Sequence, residues 1–317
     1  MAEDYARHLQ GLHAGFEAPA ALIVRAARAV SASPIAERER IVHGEANEVY
    51  RIAFASGLEV IMRIARRAPG IFKKEAWAIG RCRALGMRVP EVLSIQTLEG
   101  PGEPMEVCIL EKLPGVRLSD ALSLPREMLR NVVRELGEEV SRMHSITPDD
   151  LGEGARFFEN DTDDFLAIEP EFTEVGVQAG LDAGALEHGF RFFETVMTRG
   201  GPPPCRLTHN DFRACHVLVH EGRLSGLIDF GQVSLDTPIN EFAKWDYWEA
   251  PALPSAWLRE GYADKTLFDD SYGERFAALR LANALWVLRW YALTGYAGGV
   301  DVARAKIAGY LTELGLA

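Results

Sequence analysis

The spacing of apolar positions changes period several times along the chain, and each change marks an element. Residues 5–32 are rich in alanine and read as one or two helices with a break at Pro19. From Ile41 the period shortens. IVHGEANEVYRIAF and LEVIMRIA, separated by a turn at Gly57, read as two strands of a hairpin, the first entered through a loop containing Gly44. FKKEAWAIGRCRALG returns to helical spacing and ends on Gly86, a residue suited to a helix C-terminus. VPEVLSIQTLEG and MEVCILEKL read as two further strands, with a turn over Gly100–Gly102 between them and a stop at Pro114 and Gly115.

Beyond that stop the pattern is mostly helical. LSDAL opens a short helix with Ser119 as its cap, and PREMLRNVVRELGEEVSRMHSI is strongly amphipathic, with Pro125 near its first turn. Residues 153–189 read as irregular and acidic, carrying Glu159, Asp161, Asp163, Asp164, Glu169, Glu171 and Glu174. Gly200 to Pro204 breaks the chain again. LTHNDFRACHVLVHEGRLSGLIDFG then reads as strand, loop and strand, and helices follow to Ala317. The expectation is an α+β protein of two units. A strand-rich N-terminal unit with leading helices spans residues 1–112, and a helix-rich unit spans 113–317.

Composition narrows the partners. With 317 residues, the chain is long enough to bury about three quarters of its unfolded surface without staples. The formal charge of -12 argues against a general nucleic-acid binder and is compatible with a cationic small ligand. Cys82, Cys108, Cys205 and Cys215 include no CxxC pair, so reduced thiols and a cytoplasmic setting are expected. The apolar run FAALRLANALWVLRWYALTG is interrupted by Arg280, Asn283 and Arg289, which suits a core helix and not a membrane span. A monomer or weak dimer is expected.

The chemistry-bearing stretch is His209 to Gly231. Asp211 sits in a loop, His216 follows five residues later, and Asp229 ends the second strand of a small hairpin. One carboxylate can orient a hydroxyl, while the other, with a nitrogen or oxygen ligand, can hold a divalent ion. Phosphoryl transfer needs that division: a positioned nucleophile and neutralised phosphates. Loop aspartates also cap turns, and a loop histidine can simply hydrogen-bond to backbone.

HNDFRACHVLVHEGRLSGLIDFG resembles the HxDxxxxN…Asp catalytic segment of the aminoglycoside phosphotransferase family. The likeness extends to HGEANEVYRI, VIMRI, Glu75 in FKKEAWAI, VPEV and CILEKLPGVRL, and the layout is similar to that of hygromycin B phosphotransferases. It implies a bilobal protein-kinase-like fold and transfer from ATP or GTP, with Mg²⁺, to a small-molecule hydroxyl. On that resemblance Asp211 is the catalytic carboxylate, Asp229 a metal ligand, Arg63 the phosphate-contacting cation and Glu75 its partner. Gly44 and Asn47 belong to the nucleotide loop, and Glu111 to Leu113 to the hinge that meets the base. Arg66 and Arg67 are near, one of them solvent-facing, and Lys73 and Lys74 are alternative cations.

His216 departs from the usual Asn, as in macrolide and some aminoglycoside 2''-phosphotransferases; imidazole suits Mg²⁺ less well than oxygen does. Asn210 replaces a common Gly. Asp236, Asn240 and Glu241 stand where in the family an acidic residue supports the catalytic loop or nears the substrate, and Asp246 and Glu249 could meet an amine-bearing ligand; helix capping and a solvated face are the equal alternative. An aminoglycoside, hence a cationic antibiotic, is the favoured acceptor. A macrolide or a metabolic hydroxyl compound is the alternative, and a nucleotide-binding pseudokinase is the rival of another class. A protein kinase fits less well, because no Ala-Pro-Glu segment follows Asp229 and little chain separates it from the next helix.

Overall fold

The computed structural model describes residues 2–14, 17–44, 47–65, 70–99, 103–159 and 165–317. Arg66, Arg67, the Gly100–Gly102 turn, Asp161, Asp163 and Asp164 lie outside the described residues. The chain divides into two compact units. One comprises Met1–Val116, Leu218–His220 and Ser225–Gln232, the other Arg117–Val217, Glu221–Leu224 and Val233–Ala317.

The first unit begins with helices α1 (Ala2–His13) and α2 (Ala20–Ala27), on either side of Pro19. Strands β1 (Ile35–Ile41), β2 (Asn47–Phe54) and β3 (Glu59–Ala65) precede helix α3 (Ile71–Ala84), and β4 (Val92–Leu98) and β5 (Met105–Glu111) follow it. They form a five-stranded antiparallel sheet in the order β1-β2-β3-β5-β4. Alternate residues Tyr50, Ile52 and Phe54 of β2 join Met62, Ile64, Val107 and Ile109 in a core closed by Leu22, Ile23 and Ala26 of α2. The buried Glu48 carboxylate accepts the Ala18 N–H (3.1 Å) and the Tyr50 hydroxyl, which pins the approach to α2 onto the sheet.

β1 was not expected, because IAERERI shows no apolar alternation. It is the edge strand, where one charged face is tolerated. Cross-strand pairing supplies the reason it forms: Arg51 of β2 meets Glu37 (2.7 Å) and Glu39 (2.8 Å) of β1.

β6 (Val116–Arg117) leads into the helical part of the chain. LSDAL gives only a single turn at Leu118–Asp120, and Ser119 lies within it and caps nothing. Helix α4 (Arg126–Met143) follows, with Pro125 at its N-cap. The stretch read as irregular contains helix α5 (Glu169–Gln178) and the start of α6 (Ala183–Thr198). Their acidic faces obscured the apolar one: Phe172, Leu186 and Phe190 enter the second unit's core beside Leu281, Leu285 and Ile307. Asp182 caps α6 by accepting the Ala185 N–H at 2.8 Å.

Strand β7 (Arg206–Thr208) leads into the loop that carries Asp211. The hairpin β8 (Val217–His220) and β9 (Arg223–Leu227) comes next, then β10 (Ser234–Asp236), antiparallel to β7. Helices α7 (Pro238–Glu249), α8 (Ser255–Gly261), α9 (Tyr272–Thr294) and α10 (Ala297–Glu313) complete the unit. Trp245 and Trp257 are core residues. Among the described residues no helix is long and apolar enough to cross a membrane.

α4 and α8 touch backbone to backbone. A Cβ on Gly261 would stand 1.8 Å from the Arg134 carbonyl oxygen, and one on Gly137 2.1 Å from that of Leu258. Gly261→Ala must therefore separate the helices and is expected to cost more than about 2 kcal/mol. Urea denaturation checks this; an unchanged midpoint would mean that the helices part freely.

Candidate active site

In the first unit the candidate residues converge on Arg63. Its place on β3, opposite Cys108 of β5 and between the core residues Met62 and Ile64, puts the guanidinium on the sheet face that meets α3, with a side chain 9% exposed. Nη1 donates to the Glu75 carboxylate and Nη2 to Asp229 Oδ1 at 3.0 Å. Its Cζ also lies 5.4 Å from the Phe72 ring centroid. Burial works against the Arg63 charge, but Glu75 and Asp229 more than offset it, so the guanidinium stays protonated. Burial also pushes the neighbouring Cys108 thiol up to about 12, leaving it neutral.

Glu75 reaches Arg63 because α3 is fixed at its start. Glu106 of β5 accepts the N–H groups of Gly70 (2.9 Å) and Phe72 (3.2 Å), a remote cap with no signature in the local sequence. Asp229 has φ 67°, a left-handed conformation that turns the chain sharply after β9. Its side chain is 40% exposed, in contrast to Glu75 at 2%. Glu75 is thus the structural partner of Arg63, and Asp229 the one that solvent or a ligand can reach.

The remaining candidates of this unit have internal contacts. Asn47 is a buried first residue of β2 paired with Ala65, not an exposed turn residue. The Gly44 carbonyl lies 2.7 Å from His13 Nε2. Within the hinge Glu111–Leu113, the Glu111 N–H is spent on the Glu91 carbonyl at 2.9 Å, so that one donor does not meet a nucleotide base.

In the second unit the loop from His209 to His216 lies along one face of α7. Asn210 donates its N–H to Glu241 Oε1 at 2.8 Å. Lys244 Nζ donates to the Asn210 carbonyl at 2.6 Å and to its side-chain oxygen. Phe212 packs on Trp245 with centroids 5.3 Å apart, and the Arg213 guanidinium lies 3.9 Å from the Trp248 ring centroid. Ala214 donates its N–H to Glu249 Oε1 at 2.8 Å. Positions 241, 244, 245, 248 and 249 recur at helical spacing, so a single face of α7 holds the whole loop. The expectation for Glu241 as a loop support is met by its bond to Asn210. Lys244, Arg213 and the role of Trp248 were missed. The i, i+3, i+7 spacing along α7 was the available signal, but it does not say what lies opposite.

Asp211 is left with its side chain 34% exposed, and its Oδ2 lies 3.6 Å from His216 Nδ1. His216 Nδ1 is 2.8 Å from the Asp211 carbonyl oxygen. As the donor to that carbonyl, Nδ1 carries a proton. His209 is fully buried beside Phe212 and His216, which suits loop packing and not proton transfer. Burial pushes the Glu241 carboxyl up to about 7, against the pull of the Asn210 and His209 N–H groups and of Lys244.

Asp246 and Glu249, nominated for an amine-bearing ligand, have internal partners, as do Glu171 and Asp236. Asp246 pairs with Arg280 (2.9 Å), and Glu171 with Arg289 (2.7 Å). Glu249 holds Ala214, and Asp236 accepts from Asn240 and from the Thr237 N–H.

The chain matches the model of APH, a phosphotransferase enzyme family, over residues 37–279. Among solved structures it is similar to a thermostable mutant of aminoglycoside phosphotransferase APH(4)-Ia, at 18% identity and TM-score 0.68 over 88% of this chain and 95% of that one. It is similar to the GDP complex of aminoglycoside 2'-phosphotransferase-IIIa, at 16% identity and TM-score 0.69 over 89% and 94% of the two chains. It is also similar to amicoumacin kinase hAmiN in complex with AMP-PNP, Ca²⁺ and Ami, at 14% identity and TM-score 0.70 over 96% and 99%. No curated protein matches it. The fold is the bilobal, protein-kinase-like α+β arrangement of a strand-rich and a helix-rich lobe.

Proposed function

Because this chain belongs to the phosphotransferase enzyme family, we propose that it transfers the γ-phosphoryl group of ATP or GTP to a hydroxyl of an antibiotic-like small molecule. The observation that carries this reading is the Arg63 node, a buried guanidinium held between Glu75 and Asp229. A rigid, permanently charged fork of this kind suits phosphate oxygens. Asp211 orients the acceptor hydroxyl and takes its proton as oxygen attacks the γ-phosphorus in line. The bond to the nucleoside diphosphate breaks as the ester forms.

Each unit offers one donor of a kind that suits a divalent ion. Asp229 offers a hard, partly exposed carboxylate, which suits Mg²⁺. His216 offers Nε2, a softer donor. When bound, such an ion neutralises charge on the phosphate oxygens. His216→Asn replaces imidazole with an amide that can present oxygen. It is expected to lower the Mg²⁺ concentration that gives half-maximal turnover. A metal titration checks this, and an identical curve would restrict His216 to its hydrogen bond with the Asp211 carbonyl.

For the acceptor, an aminoglycoside comes first, supported by the formal charge of -12. The internal pairing of Asp246, Glu249 and Glu171 favours a second, less cationic class. Amicoumacin and macrolides belong in that test. Nucleoside diphosphate release with Mg²⁺ and ATP or GTP, across hygromycin B, kanamycin, amicoumacin and a macrolide, is the deciding experiment. A product carrying added phosphate mass is expected from one class. Nucleotide binding without release for any acceptor would favour a nucleotide-binding protein without transfer activity.

A further inference from the structure

Asn210, immediately before Asp211, has φ 65°. For a residue with a side chain this left-handed conformation costs about 1–2 kcal/mol, least for Asn and Asp, and nothing comparable for Gly. Such a corner persists only where its surroundings hold it. Here both flanking peptide groups are held from α7. Glu241 takes the Asn210 N–H at 2.8 Å, and Lys244 takes the Asn210 carbonyl at 2.6 Å together with the side-chain oxygen. The Asn210 carbonyl and the Asp211 N–H belong to one planar peptide group. A lysine that fixes that carbonyl therefore fixes the plane from which Asp211 departs. By gripping the backbone and side-chain oxygens of the same residue, one ammonium restrains both the peptide plane and the Asn210 rotamer.

We propose that Lys244 is a positioning residue for Asp211, clipping the Asn210–Asp211 peptide in place at a corner that glycine would occupy without help. This rests on the reading of Asp211 as the catalytic carboxylate. Lys244 touches neither nucleotide nor acceptor in this account. Its loss misorients the carboxylate and leaves ligand binding alone. Such an effect appears in kcat and spares KM. The clip also explains why α7 carries a lysine between Glu241 and Glu249 on the face that meets the loop.

The test compares Lys244→Met, Lys244→Arg, Asn210→Gly and the Asn210→Gly/Lys244→Met double variant, with Asp211→Ala as control. Lys244→Met is expected to lower kcat by about 10- to 100-fold, with acceptor KM and nucleotide affinity within about twofold, as small misplacements of a reacting group do. Lys244→Arg should recover part of the loss. Whatever activity Asn210→Gly has, adding Lys244→Met to it should cost less than about threefold, because glycine needs no clip; that non-additivity is the signature of coupling.

Equal losses in the Asn and Gly backgrounds, or full kcat in Lys244→Met, overturn the proposal. Persistent turnover by Asp211→Ala overturns the reading of Asp211 instead. A crystal structure of Lys244→Met decides the geometry without turnover. A rotated or heterogeneous Asn210–Asp211 peptide is expected, and an unmoved peptide with Asp211 in place overturns the clip.

Discussion

Asp211→Ala is expected to abolish acceptor-dependent phosphate transfer and to leave the fold and nucleotide affinity near those of the parent. Asp211 carries 34% of its side-chain surface exposed, so truncation creates no cavity. The loop around it keeps its contacts to Glu241, Lys244 and Glu249, none of which uses the Asp211 side chain. Stability should therefore change by no more than about 0.5 kcal/mol, as for other exposed positions. The chemistry loses its proton acceptor, and a positioned general base is worth about 10²- to 10⁴-fold. Asp211→Asn keeps shape and hydrogen bonding but not basicity, and should fall almost as far. Stopped-time product analysis and thermal melting, run together, check both halves. Turnover within tenfold of the parent would assign the base elsewhere.

Breaking the Arg63 node has the largest effect on stability. Arg63→Met leaves Glu75, 2% exposed, with its buried carboxylate deprived of its partner. Removing one member of a buried ion pair costs about 3–5 kcal/mol. Burial already pulls the Glu75 carboxyl upward and Arg63 is what opposes it, so its loss raises the folded-state pKa further. A raised carboxyl contributes stability below its unfolded pKa and loses it as pH rises through the folded value. Arg63→Met should therefore be more destabilised at pH 8 than at pH 5, by urea unfolding at both.

Arg63→Met/Glu75→Leu, which removes both charges, should recover much of the loss. Equal destabilisation at the two pH values would mean that Glu75 is not the group left uncompensated. Both variants should still lose nucleotide affinity, because the fork for the phosphates is gone. That separates Arg63's function from its contribution to the fold.

The first unit's strands were legible wherever apolar and polar positions alternate, as in Tyr50, Ile52 and Phe54. They were not legible in β1, whose stability comes from Arg51 on another strand meeting Glu37 and Glu39. Helices α5 and α6 were hidden for a related reason. The burial of Phe172 and Phe190 depends on α9 and α10, which come much later in the chain.

At the site, Asp211, Asp229, Arg63 and Glu75 could be picked out from short local patterns, and the structure joins Arg63 to both Glu75 and Asp229. By itself the sequence determined the periods of most elements and the change from a strand-rich to a helix-rich half, and its resemblance to the family nominated those four residues. Each is a property of neighbours in the chain. Only the tertiary structure decided that Glu106 caps α3, that Asp246 and Glu249 have internal partners and that Lys244 grips the residue before Asp211. Those assignments depend on which groups meet across 30 or more residues, and a charge's role follows from its partner's distance and burial, which no local spacing encodes.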